Sequence, residues 1–544
     1  MDELTAVLEG EVVTSLKSRQ AYSHDASLFE LLPDAVVFPK NTDDLRALTK
    51  IAAKYRAAGQ NVSITPRGAG TDMSGGAIGQ SLVVDFTRYF NRITAVSAES
   101  ATVQPGVYYR DFESTTLKNG TLLPSYPASR DLCTVGGMVS NNAGGEKSLQ
   151  WGKTANFVQS LRVVLSDGNL YTIKPLDAEQ LRVKMAQPDF EGRLYRDTYR
   201  LLEDNYQAIQ AARPRVSKDS TGYHLWDVWN RQSGVFDLTK LFVGAQGTLG
   251  LITEINFKLV PKPRHSGLLV CFLKDTRRLG DIINAVLEHR PATFESFDDN
   301  TLWLSFKFFP AFLKTLGLKR WLQLAAQLLP DGLMLLRGVP KLILMIEFNG
   351  ETPETVAQKI EKMRQRLKPF GMAMEKDETE FKSQKFWIMR RQSFNLLRQK
   401  VKDKHTAPFI DDLVVPPPCL NEFLPKLRRI IKKYRLLATI AGHMGDGNFH
   451  IIPLMRIEDP AERAKLEPAM KEVNKLVLSY GGSLSGEHND GMVRGPWLGQ
   501  MYGESMVNLM RQIKRLYDPQ NIFNPHKKTD ARWQFSLNHI RKSF

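Results

Sequence analysis

The sequence predicts an α+β protein of at least two domains, and three observations carry that expectation. Its 544 residues exceed what one hydrophobic core usually supports. Short apolar runs with strand character are mixed with stretches of helical periodicity along the whole chain. A Pro261-Lys262-Pro263 cluster interrupts the pattern and marks a domain boundary.

From Asp43 to Arg56, apolar residues recur at helical spacing (Leu45, Leu48, Ile51, Ala52, Tyr55), which predicts a helix. Asn61–Pro66 reads as a strand, Arg67–Gly79 as a Gly-rich loop and Leu82–Asp85 as an apolar strand. Further strands are expected at Ile93–Val96, Ala101–Val103 and Leu161–Leu165, the last closed by a Ser166-Asp167-Gly168 turn. Phe242–Val260 reads as strand, Gly turn, strand. Beyond the prolines, Leu279–His289 and Pro353–Leu367 are expected helices and Leu342–Phe348 a strand. Lys426–Arg435 follows a triple proline and reads as a helix with a solvated basic face.

Hydrophobic residues at 42% and charged residues at 24% are ordinary for a folded protein. A net charge of +16 attracts polyanions. No nucleic-acid recognition motif accompanies it, so no nucleic-acid partner is expected. Cys133, Cys271 and Cys419 are too few and too scattered for a disulfide framework or a CxxC metal site, which suits a reducing compartment. The amino terminus has no apolar secretory region, and no run of about 18 uncharged apolar residues occurs. A cytoplasmic location is expected.

Two glycine-rich blocks carry the first functional signal. Pro66-Arg67-Gly68-Ala69-Gly70-Thr71-Asp72-Met73-Ser74 lies between two expected strands, where converging amide groups can cradle an anion such as pyrophosphate. It is not a Rossmann fingerprint, because Met73 stands where the third glycine belongs and no long helix follows. The second block, Cys133 to Gly145, concentrates glycines, hydroxyls and amides suited to a flat ligand with polar edges; a glycine-rich helix start is the competing reading.

The order of PRGAGT (66–71), TVGGMVSNNAGG (134–145), GYHL (222–225) and GAQGTLGLITE (244–254) resembles the FAD-binding domain of the vanillyl-alcohol-oxidase type. Within that superfamily it is similar to the D-lactate and D-2-hydroxyglutarate dehydrogenase branch. The resemblance implies a PCMH-type FAD-binding domain of two subdomains over residues 1–262 and an α+β substrate or cap domain with an antiparallel sheet over 263–523. A segment from 524 to 544 would return to the flavin, with Asn524 as a candidate ring contact. Pro66, Arg67, Gly68, Ala69, Gly70, Thr71 and Ser74 would hold the pyrophosphate. Pro127, Thr134, Gly136, Gly137, Ser140, Asn141, Asn142, Gly144 and Gly145 would lie along the flavin, with Gly247 and Ile252 completing the site. No histidine stands in the first loop, so the FAD is expected to be non-covalent.

Two of the ten histidines flank a Gly-Asp-Gly turn in Gly442-His443-Met444-Gly445-Asp446-Gly447-Asn448-Phe449-His450, a turn able to bring both imidazoles to one point. Gly486-Glu487-His488 adds a carboxylate and a third imidazole. Two histidines and one glutamate form a familiar ligand set for a divalent metal such as Zn, Mn or Fe; turn residues and satisfied core histidines are the alternative. Both segments resemble the HxGDGNxH and GEH motifs of the same family. By that resemblance His443, His450 and Glu487 hold the metal and His488 is the catalytic base. The family often has Gly after GEH, and here Asn489 stands there, a loop adjustment or an amide that touches the substrate.

Phe386-Trp387-Ile388-Met389-Arg390-Arg391 resembles the segment whose arginine grips the substrate carboxylate, with Arg390 aligned and Arg391 competing. The hydroxyglutarate enzymes place a lysine near the position of Ile410 and an asparagine at that of Ile452. Two isoleucines there favour D-lactate or a bulkier apolar D-2-hydroxy acid. D-2-hydroxyglutarate or glycolate oxidation, a non-redox alkyl-transfer synthase and an idle flavin subunit are the rivals. Electrons would pass to a quinone or an electron-transfer protein. Residues 301–338 mix aromatic and basic side chains, so either a peripheral contact with the inner face of the cytoplasmic membrane or a packed helical hairpin is expected there.

Overall fold

The computed structural model describes residues 1–299, 340–377, 386–387 and 403–542. Arg390, Arg391 and residues 301–338, for which the sequence raised expectations, lie outside them.

Three sheets organise the described chain. The first has the strand order Glu11–Val13, Ala35–Phe38, Leu82–Asp85, Ile64–Arg67. Its last three strands run parallel, so the chain needs a crossover, which the helix Thr42–Ala57 supplies. Asn41 starts that helix by accepting the Asp44 N–H at 3.0 Å. The second sheet is antiparallel, in the order Ile93–Val96, Ser100–Val103, Leu251–Lys258, Val158–Val164, Leu170–Ile173. In Leu251–Lys258 buried residues alternate with half-exposed ones, as a sheet with one covered face requires.

After Pro263 the chain builds an antiparallel sheet of its own. The order is Ala373–Asp377, His265–Leu273, Leu342–Gly350, Thr293–Asp298, Leu437–His443, Asn448–Met455, His405–Thr406, with Leu413–Val414 also on Asn448–Met455. Helices Leu279–Leu287, Pro353–Leu367, Leu420–Lys433 and Leu466–Ser479 share one apolar core with it. In Leu420–Lys433 the buried positions are Leu420, Phe423, Leu424 and Leu427, while Lys426, Arg428, Arg429, Lys432 and Lys433 stay in solvent. Its apolar face is thus already covered by the protein.

Two expectations change. The stretch from Phe242 is not a strand: Thr239–Phe242 is a helical turn, residues 243–250 form a loop, and extended structure starts only at Leu251. Gly244, Gln246 and Gly247 take positive φ (88°, 50° and 67°), which no strand accommodates. The chain also returns to its first half before residue 524. Met506, Met510, Ile513 and Tyr517 pack in one core with the second sheet, and Ile522 and Phe523 join the core of the first.

Candidate functional site

A cavity of about 690 Å³ runs from the first Gly-rich loop to the histidine cluster. Pro66, Arg67, Gly68, Ala69, Gly70 and Thr71 line one part. Pro127, Thr134, Gly136, Gly137, Ser140 and Asn141 line the next, with Gly247 and Ile252 opposite. Thr406, Thr439, Ala441, His450 and Ile452 of the third sheet, with Glu487 and His488, close the far end.

The second Gly-rich block is locally the helix start that composition allowed. Thr134 caps Val135–Asn141 by accepting the Gly137 N–H at 3.2 Å, and Asn142 ends it in the left-handed conformation. Glycine is needed at 136 by proximity: a Cβ there would sit 2.4 Å from Pro105 Cβ and 2.7 Å from the Pro105 carbonyl oxygen. Gly136→Ala is therefore expected to unseat this helix and weaken FAD binding at least about tenfold, a loss of roughly 1.4 kcal/mol, read by quenching of flavin fluorescence. Unchanged affinity would show that the wall is not part of the binding surface.

Five of the expected cofactor residues stand behind the wall. Ser74, Asn142, Gly144, Gly145 and Asn524 are not among the cavity-lining residues. Asn524 is the clearest correction. Its amide nitrogen donates to the carbonyls of Gly76 (2.8 Å) and Gln246 (2.7 Å), and its oxygen accepts from Thr65 Oγ1 at 3.1 Å. It braces the loops rather than facing a ligand.

The turn at Met444–Asp446 brings the two strand-borne histidines together, with ring centroids 5.3 Å apart. A Cβ at Gly442 would lie 2.1 Å from the Asn448 carbonyl oxygen, so this hairpin closes only with glycine. His443 Nδ1 lies 2.6 Å from Glu295 Oε1 and its Nε2 lies 3.1 Å from Glu487 Oε1. His450 Nδ1 lies 3.3 Å from Asp411 Oδ1 and its Nε2 lies 3.8 Å from Glu487 Oε2. Each imidazole thus has a carboxylate behind it and points its other nitrogen at Glu487. Donor atoms of His443, His450 and Glu487 all fall within 4.8 Å of one another. Two imidazoles oriented by outer carboxylates and one ionised glutamate fit a divalent transition metal.

His488 stacks on His450 with centroids 5.1 Å apart. Its Nδ1 lies 2.8 Å from Asp411 Oδ2, which leaves Nε2 available toward the cavity. Burial disfavours charge on this ring, yet the Asp412 and Asp411 carboxylates outweigh it and raise its pKa to about 9. A cation at Glu487 would act the other way and favour the neutral imidazole that a base needs. Burial likewise opposes ionisation of Glu487, but His443 and Lys218 hold its pKa well below the usual carboxylate range.

Several residues that build the site carried no assignment from the sequence. Asp412 Oδ2 accepts the N–H groups of Glu487 (2.8 Å) and His488 (2.7 Å) and the Ser485 hydroxyl at 2.6 Å, which fixes the GEH segment. Lys218 is fully buried, 2.5 Å from Glu487 Oε1 and 3.2 Å from Asp446 Oδ2. Lys153 donates to Ser220 Oγ (2.9 Å) and to the Gly486 carbonyl (2.8 Å), and burial lowers its pKa to about 8. A usable signal existed for one pair: Asp411-Asp412 interrupts an apolar run, and two carboxylates are buried there only when partners are waiting. Of the two isoleucines that bear on substrate, Ile452 lines the cavity, whereas Ile410 is buried in the core of the third sheet.

Residues 33–174 match the FAD binding domain, and residues 262–528 match the C-terminal domain of FAD linked oxidases. The chain is 28% identical to the D-2-hydroxyglutarate dehydrogenase of Pseudomonas putida over 95% of its own length and 50% of that protein's, so it spans about half of that relative. It is 28% identical to a glycolate oxidase subunit of Bacillus subtilis, covering 94% of this chain and 92% of that one. It is 25% identical to the D-lactate dehydrogenase of Archaeoglobus fulgidus, covering 97% and 98%. Among solved structures, 4-ethylphenol oxidase from Gulosibacter chungangensis shares the fold with a TM-score of 0.69 at 16% identity, covering 98% of this chain and 97% of that one. An alkyldihydroxyacetonephosphate synthase does so at 0.68 and 17%, covering 97% and 86%.

Proposed function

The chain belongs to the FAD-linked oxidases, and from that membership we propose that it oxidises a small D-2-hydroxy acid to the 2-oxo acid. The observation that carries the reading is that His450, Glu487 and His488 line a cavity that the Gly-rich loop also lines, with His443 meeting Glu487 behind them. Bound FAD would supply the two-electron acceptor for the C2 hydride. A divalent cation held by His443, His450 and Glu487 would supply positive charge beside the substrate hydroxyl. Everything else falls to side chains. His488 takes the hydroxyl proton at Nε2, while Asp411 holds Nδ1 and stabilises the imidazolium that results. His450, stacked against it, fixes the plane of the ring. Arg390 is assigned to the substrate carboxylate.

Among the described residues, Thr439, Ala441 and Ile452 give the substrate end small or apolar walls. Ile452 therefore favours D-lactate, or a bulkier apolar D-2-hydroxy acid, over a dicarboxylate. Electrons would leave to a quinone or to an electron-transfer protein. No helix among the described residues is long and apolar enough to cross a membrane. The test is anaerobic titration of the FAD-loaded protein with D-lactate, L-lactate and D-2-hydroxyglutarate. Bleaching of the flavin by D-lactate, none by the L-isomer, and recovery with a quinone analogue are expected. Bleaching by D-2-hydroxyglutarate alone would overturn the substrate assignment; no bleaching by any of them, nor by a bulkier apolar D-2-hydroxy acid, would overturn the reaction.

A further inference from the structure

Asn489 follows the proposed base and faces away from the cavity, although a substrate contact was one expectation for it. It is fully buried and sits at φ 66°, in the left-handed region where glycine and asparagine are the residues tolerated best. That backbone state explains why either residue can follow the Glu487-His488 pair. The side chain adds contacts that glycine could not make. Its amide nitrogen donates to the Gly244 carbonyl at 2.8 Å and to the Asn141 carbonyl at 3.3 Å. Its oxygen accepts from Lys528 Nζ at 2.6 Å and from the Asp490 N–H at 2.7 Å.

These partners come from distant parts of the chain, 245 and 348 residues away for Gly244 and Asn141. Asn141 lines the cavity where FAD is assigned, and so does Ala245, next to Gly244. On the other side of the same residue, the Asn489 carbonyl accepts from Arg494 Nη1 at 3.0 Å, and Arg494 Nη2 donates to the Asp411 carbonyl at 2.7 Å. Asp411 is the residue that orients His488. A continuous set of short contacts thus leads from the flavin walls through Asn489 to the base.

We propose that Asn489 is a positioning residue whose side-chain amide couples the flavin-binding loops to His488. The inference rests on the assignment of FAD and of His488 made above. It implies that loop position, set when flavin is bound, fixes the base, and that loosening the base loosens the loops.

Asn489→Gly isolates the amide. Glycine adopts the same φ without strain, and Lys528 keeps its buried partner Asp490 at 2.6 Å, so the carboxy-terminal segment stays docked. Asn489→Asp is the second variant: it retains an acceptor for Lys528 but sets a carboxylate oxygen against the Gly244 and Asn141 carbonyls. Three readouts are compared with the unaltered protein: FAD affinity by fluorescence, the melting temperature, and the single-turnover rate of flavin bleaching at saturating FAD and D-acid. Both variants are expected to bind FAD about tenfold more weakly, and to bleach about tenfold more slowly even when saturated. A change confined to melting temperature, or weaker FAD binding with an unchanged bleaching rate, would overturn the coupling. If the unaltered protein binds FAD but no D-acid bleaches it, the functional reading fails by itself. In that case normal FAD affinity in Asn489→Gly would separately overturn the role of the amide.

Discussion

Turnover of a His488→Asn variant is expected to fall by about 10²- to 10⁴-fold, with flavin content and bound cation unchanged. The size follows from what the ring does: a positioned proton acceptor in the transition state contributes that range, and among the described residues the neighbouring carboxylates are committed elsewhere. Glu487 is occupied by Lys218 and the two facing imidazoles, and Asp411 has no exposure to solvent. Asparagine is chosen over alanine because its amide can still donate toward Asp411, whose carboxylate is fully buried. Leaving a buried charge without its partner costs about 3–5 kcal/mol, and that would confuse loss of folding with loss of catalysis. The check is single-turnover bleaching per mole of bound flavin. Near-normal rates in a variant with full flavin occupancy would remove His488 from the reaction.

Local chemistry was legible in the sequence where neighbours in sequence are also partners in space. The helix Thr42–Ala57 follows from its apolar spacing, and the 443–450 hairpin follows from its glycines. What orients those histidines was not legible. Glu295 is 148 residues from His443, and Lys218 is 269 residues from Glu487. Such pairs are created by folding, and a single sequence gives no register for them. Asn524 shows the opposite error. The resemblance of the closing segment to a family end that returns to the flavin invited a ligand contact, yet the Asn524 amide is committed to Gly76, Gln246 and Thr65, each far off in the chain. The loop at 243–250 was misread because glycine signals a break in extended structure without saying on which side of it the strand lies.

Removing the divalent cation is expected to lower turnover by about 10²- to 10³-fold, the several kcal/mol that a metal contributes to developing charge on oxygen. Chelation tests this without changing a residue: activity should fall with cation content, followed by elemental analysis, and return with one equivalent of Zn, Mn or Fe. Glu487→Gln should give the same loss through the protein. Its amide keeps the shape but offers no anionic ligand, so two imidazoles remain, which is fewer than such sites use. Lys218 would keep Asp446 at 3.2 Å and the Gly145 carbonyl at 3.3 Å, but the buried ammonium would lose its nearer counter-charge at 2.5 Å. A fall in melting temperature is expected along with the loss of metal, and chelation of the unaltered protein separates the two. There Glu487 stays ionised and paired with Lys218, so stability should fall only by the cation's own binding contribution, less than in Glu487→Gln, while turnover collapses. Full turnover in protein shown to be free of cation would mean that the Glu487–Lys218 pair, with both imidazoles, is itself the finished site and that no metal takes part.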